Sequence, residues 1–166
     1  FNQSGVGSDF TGTVVAVDLT GYTVGTLPAS FWWDTGSFHT FAFNSPLVVT
    51  VNVKQYVWTS TTGLSTLQSG SITVSTYGSI VGHYKTQYYL TLATNPSGIT
   101  SPSGAGWYDA DTYASISTAA LVDIVPGSSR YRFNGWTTTN MAEITNSSAP
   151  ATTVLMDEAK TVTANY

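Results

Sequence analysis

The chain has no cysteine among its 166 residues. Disulfides, zinc–thiolate sites and a cysteine nucleophile are excluded, so the fold must be held by its core. Charge is almost as scarce. Charged side chains make up 8% of the chain, against about 25% in ordinary soluble domains. Five basic residues and a net charge of −4 argue against the clustered Lys and Arg that nucleic acid requires. There are two histidines, His39 and His83, and no G-x-S-x-G elbow, so no nucleophile–base pair announces itself. No apolar run approaches the roughly 20 residues of a membrane span. No window carries a helical apolar period with capping signals, and residues 64–68 and 141–144 are expected to make single turns at most. No Met starts the chain, and Phe1 is expected to follow a removed signal peptide or to begin an excised fragment.

What is present is hydroxyl, aromatic and β-branched. Ser and Thr supply about 30% of the chain, well above ordinary usage. A hydroxyl-rich surface has little charge repulsion to prevent association, and suits a glycan coat or contact with other subunits. Short strand-like runs are separated by Gly, Pro, Ser and Asn. In the first half they fall at 13–17, 22–24, 27–33, 38–43, 47–53, 55–59, 71–74 and 79–83. The apolar run at 47–53 suits a strand covered on both faces. In the second half they fall at 87–94, 113–117, 121–125, 130–136, 152–156 and 161–166.

The two halves repeat. Residues 32–37 read WWDTGS and residues 107–112 read WYDADT, 75 positions apart. Tyr56-Val57-Trp58 and Tyr131-Arg132-Phe133 keep that spacing. The segments ending at Tyr84 and Tyr166 match at 82 positions apart. These offsets predict two all-β domains, 1–84 and 85–166, each an antiparallel sandwich. Trp58 and Phe41 are the expected core anchors of the first, Trp136 and Phe133 of the second. The second copy opens on the run 87–92, QYYLTL, and the matching strand of the first copy is expected to be absent before Phe1.

Several side-chain groupings bear on chemistry. Asp109 with Asp111, and Asp157 with Glu158, are the acid pairs a glycosidase would need. Acids at β-turns are more commonly solvated turn residues, and a structural role is the expected one for His83 as well. Asp109-Ala110-Asp111 also has the spacing of a calcium-loop fragment, without the Gly and distal Glu of an EF-hand. A structural turn is the preferred reading, and no catalytic residue, cofactor or metal is assigned. Trp32, Trp33, Trp107 and Tyr108 recur at one place in both copies and are candidate glycan-contact aromatics, against the plainer reading as core. Asn2-Gln3-Ser4 and Asn146-Ser147-Ser148 are sequons, making Asn2 and Asn146 candidate N-glycan sites.

The motifs Tyr88 to Leu92, Trp107-Tyr108-Asp109, Tyr131-x-Phe133-x-Gly135-Trp136 and Met156-Asp157 with Lys160 to Tyr166 cover nearly all of 85–166. This half resembles the divergent internalin-type B-repeats of bacterial and archaeal surface proteins. The first half keeps Trp33-Asp34, Tyr56-x-Trp58 and the closing hairpin, with His83 where the second has Asn165. The resemblance implies Ig-like tandem domains in extracellular stalks, adhesins or filaments, with no catalytic residues to carry over. An exposed sheet edge is a template for pairing with another chain, and a head-to-tail contact that does not close makes a polymer. The expected function is therefore a non-enzymatic, cell-surface filament subunit. Its junction candidates are Phe1, Asn2, Gln3, Val6, Phe10, Val162, Ala164 and Tyr166. The partners expected are further copies of itself and N-linked glycans, with no nucleic acid and no membrane span. The alternative is an adhesin or stalk module that binds carbohydrate or another surface protein.

Overall fold

A computed structural model describes all residues 1–166. The chain is all-β and divides into two compact units, Phe1–Val51 with Gln55–Thr86, and Asn52–Lys54 with Gln87–Tyr166. The first unit contains β1 (Asn2–Ser4), β2 (Val15–Val17), β3 (Thr20–Tyr22), β4 (Phe38–Phe43), β5 (Leu47–Thr50), all but the first residue of β6 (Lys54–Gly63), β7 (Ser69–Thr73) and the start of β8 (Ile80–Asn95). The second contains the rest of β8 and then β9 (Gly106–Asp109), β10 (Thr112–Ser117), β11 (Leu121–Val125), β12 (Ser129–Arg132), β13 (Gly135–Thr137), β14 (Ala151–Met156) and β15 (Lys160–Asn165).

In the first unit, β3, β2, β4 and β7 form one antiparallel sheet in that order, and β5, β6 and β8 lie side by side in another. Alternation along each strand sends apolar side chains inward. Val15 and Val17 on β2 and Phe41 and Phe43 on β4 meet Leu47, Tyr56, Ile80 and Tyr84 in one buried cluster. Each such burial contributes roughly 1.5–3 kcal/mol. Gly82 on β8 is required by this packing, because a Cβ there would lie 2.5 Å from the Phe43 ring.

The second unit repeats the plan, with two strands rather than four in the sheet that contains β10. Antiparallel β10 and β14 contribute Ala114, Ile116, Val154 and Met156 to a core completed by Leu90, Trp136, Val162 and Ala164. The repeat offsets hold in space. Phe38 opposes Thr73 in the first unit, and Tyr113 opposes Leu155 at the corresponding place in the second.

Several expectations change. The sheets are not purely antiparallel, since both β1 and β15 run parallel to β8. The opening strand expected to be missing is there in its last part, as β1, with Asn2 opposite Val81 just as Ala93 opposes Thr163. Residues 27–33 are not a strand, and neither are 23–24, where a 3-10 turn covers Val24–Thr26. Run 47–53 is not covered on both faces, because Val48, Val51 and Val53 are exposed while Leu47 is buried. Residues 64–68 make no helical turn, whereas Met141–Glu143 makes the single 3-10 turn expected.

Candidate functional site

The second unit shows what the WYD motif is for. Residues 106–109 are a strand because β8 lies beside them, with Gln87 opposite Asp109, Tyr88 opposite Tyr108, Tyr89 opposite Trp107 and Leu90 opposite Gly106. Residues 31–34, 75 positions earlier, have no strand conformation. Their approach to β1 stops at one residue: the Phe1 ammonium donates to the Ala29 carbonyl at 2.7 Å, and Ala29 N–H donates to Phe1 O at 2.9 Å. Burial holds the pKa of that ammonium below its ordinary value, since desolvation penalises charge.

Beyond Phe1 lies an open groove of about 880 Å³, between residues 28–35 on one wall and residues 71–81 on the other. Its apolar lining includes Phe1, Phe31, Leu64, Ile72 and Ile80. One wall includes part of β7, which ends its sheet and has β4 on one side alone. Two aromatics on the groove, Trp32 and Tyr77, are fully exposed, at 102% and 97%. The second-unit counterpart of Trp32 is Trp107, which is half-buried and meets Tyr89 edge-to-face at 5.2 Å.

The other candidate aromatics are packed. Trp33 is half-buried, stacked on Phe31 at 4.7 Å and on His39 at 3.6 Å. Tyr108 is half-buried and donates its hydroxyl to Gly104 O at 2.8 Å. Among the junction candidates, Val6, Val162 and Ala164 are buried in their own cores and Phe10 packs against the first. Gln3 Nε2 donates to Val6 O, and Tyr166 donates its hydroxyl to Ala119 O. Phe1 and Asn2 line the groove. Asn2 is half-buried on β1 and Asn146 is exposed at a turn.

His39 sits in a grouping the sequence did not reveal, because its members are brought together by strand pairing. Its Nδ1 is 2.6 Å from Asp18 Oδ2 and its Nε2 is 2.9 Å from Ser37 Oγ. This is the connectivity of a Ser–His–Asp triad. The Ser37 hydroxyl, however, donates to Asp34 O at 2.6 Å, and the amides of Gly36 and Ser37 donate to Val74 O and Asp34 O. The serine proton and the nearest candidate oxyanion donors are thus engaged in the turn itself. The arrangement clasps the turn 34–37 and supports Trp33 from below. It also holds Asp18 below the ordinary carboxylate range, chiefly through the hydrogen bond from His39, then that from Thr40 N–H.

Asp109 ends β9, and Asp111, Asp157 and Glu158 lie in the turns that follow β9 and β14. Asp111 has φ +61°, where its counterpart Gly36 has +87°, so it occupies the left-handed position of the turn. Asp109 accepts from Gln87 Nε2 at 2.8 Å. Asp157 and Glu143 both bind Lys160, whose side chain is 3% exposed. Burial alone would lower the Lys160 pKa, but the two carboxylates outweigh it and hold the ammonium above its ordinary value.

Comparison with protein-family models, with curated proteins and with solved structures found no match.

Proposed function

We propose that the chain is an extracellular structural protein, a subunit of a surface filament whose Ig-like sandwich units join head to tail by β-strand addition. The observation that carries this reading is the edge of β7, which has β4 on one side alone, beside a groove lined in part by Phe31, Leu64, Ile72 and Ile80. An unpartnered edge above an apolar floor is the form in which one chain accepts a strand from another. The low charge and the resemblance to surface-protein repeats agree with it. The reading assigns no catalysis. Concentrated protein examined by sedimentation and negative-stain microscopy is expected to form end-to-end oligomers or filaments. A stable monomer at high concentration would overturn the proposal.

A second reading has one observation of its own. Trp32 and Tyr77 are exposed aromatics on the same groove, and flat aromatic faces beside hydroxyl-bearing residues suit a sugar ring. In this reading the chain is an adhesin or stalk module. Retention on an immobilised oligosaccharide that is lost in both Trp32→Ala and Tyr77→Ala would favour it.

A further inference from the structure

We infer that Ser37, His39 and Asp18 form a pH-sensitive latch on the turn 34–37, complete only while His39 carries a hydrogen on each ring nitrogen. The latch stands apart from the strand-addition reading and does not depend on it.

The count of hydrogens decides its state. Ser37 has one hydroxyl proton and two atoms within reach, Asp34 O at 2.6 Å and His39 Nε2 at 2.9 Å. A carbonyl oxygen can only accept, so the proton goes to Asp34. The second unit makes the same bond with no histidine beside it. Thr112, 75 positions after Ser37, donates its hydroxyl to Asp109 O at 2.7 Å, and the place of His39 is taken by Ala114. His39 Nε2 is therefore left to donate to Ser37 Oγ. On the other side of the ring, Nδ1 lies 2.6 Å from Asp18 Oδ2. Asp18 also accepts from the Thr40 amide at 2.9 Å and the Thr40 hydroxyl at 3.4 Å. These donors hold it as a carboxylate, below its ordinary pKa, so Nδ1 donates as well. A ring that donates from both nitrogens is an imidazolium.

Loss of one ring proton leaves Ser37 with two acceptors and a single hydrogen. Either its oxygen faces the bare Nε2 lone pair, or the hydroxyl turns to Nε2 and releases Asp34 O. The ring also loses its charge, both beside Asp18 and against Trp33, on which it stacks at 3.6 Å with the planes 7° apart. A cation over an aromatic face is attracted to it, so the stack weakens. The turn passes the change on. Gly36 N–H donates to Val74 O at 2.7 Å and Val74 N–H to Ser37 O at 2.9 Å, which extends the β4–β7 pairing by one step beyond Phe38 and Thr73. The end of β7 is thus tied to the state of the ring. Around His39, the turn after β2 supplies Asp18 and the turn 34–37 supplies Asp34. The residue opposite on β7 is the uncharged Ile72. The His39 side chain is 16% exposed, enough for its proton to exchange with solvent.

The test is a pH titration of the ¹⁵N-labelled full chain by NMR, with two-bond correlations that read each imidazole nitrogen. As the His39 ring loses its proton, the Trp33 indole and the amides of Gly36, Ser37 and Val74 should shift with the same midpoint. The amides of Asp111 and Thr112, in the corresponding turn of the second unit, should not follow it. The ring midpoint should fall by about one unit or more in Asp18→Asn, which removes the facing charge, and should also fall in Ser37→Ala, which removes the acceptor at Nε2. A turn whose amides stay still while the ring titrates would overturn the inference, and this comparison needs no variant. So would a ring midpoint unchanged in Ser37→Ala. Hydrolysis of a p-nitrophenyl ester that Ser37→Ala abolishes would overturn it too, because the serine proton would then belong to His39 and not to Asp34.

Discussion

Tyr84 and Tyr166, the residues that end the two repeats, close their units with the same bond. The Tyr84 hydroxyl donates to Asn44 O at 2.9 Å and the Tyr166 hydroxyl to Ala119 O at 2.7 Å, acceptors that are 75 positions apart. Burial also pushes the Tyr84 phenol above its ordinary pKa. Tyr84→Phe removes a donor and leaves a carbonyl poorly satisfied, so it should cost about 1 kcal/mol in denaturant unfolding. Lys160 is more consequential. Replacing it with Met leaves Glu143, 10% exposed, without its cation. That loss should be on the order of 2 kcal/mol, less than for a fully buried pair because Asp157 is partly solvated. Asp111→Gly should act in the other direction, raising stability by a few tenths of a kcal/mol, because the turn needs a left-handed residue there. Asp18 and Asp157 set the acid limb. Hydrogen bonds from His39 and Lys160 respectively are the chief causes that depress their pKa values in the folded chain. Their contribution is therefore complete above the unfolded carboxylate value of roughly 4 and is lost as pH falls through the lower folded values. A pH series of melting temperatures should show a shallower acid limb for Asp18→Asn than for the parent chain.

Strands and turns were readable from composition to different degrees. Where an alternating run has its partner within the same chain, as at 38–43, 121–125 and 152–156, the observed element matches the pattern closely. Where it lacks one, the pattern misleads. Residues 27–33 are apolar and strand-like, yet strand conformation depends on a partner's hydrogen bonds and the pattern cannot supply one. The parallel pairing of β1 and β15 with β8 was hidden for a related reason, since register is a property of two segments and periodicity describes one. The mismatch between copies was visible in the sequence, through the motif WWD and the run QYYLTL, but the groove was not, because packing makes it. The His39 grouping was not, because Asp18 lies 21 positions away and is brought in by the antiparallel β2–β4 pairing. Gly5 tests how tightly β1 is seated. It has φ +97°, and a Cβ there would lie 2.0 Å from Tyr84 O. Gly5→Ala should detach β1, lower the melting temperature and speed amide exchange at Gln3 and Ser4, without changing the second unit's exchange.

For the molecule as a whole, the two units differ in sheet size and in what lies beside their corresponding aromatic motifs. In the second unit that is its own strand, β8. In the first, β1 pairs with β8, and a groove lined in part by Phe1, Phe31 and Ile80 lies beside it. A protein with little surface charge and an open apolar edge is poorly guarded against association, and the proposed assembly uses that property rather than suppressing it. The measurement that tests this most directly is a high-resolution cryo-electron microscopy map of the assembled material. The account predicts subunits joined end to end, with a β-strand of one subunit paired to a sheet edge of its neighbour. Assemblies in which subunits meet without any pairing of strands would contradict it.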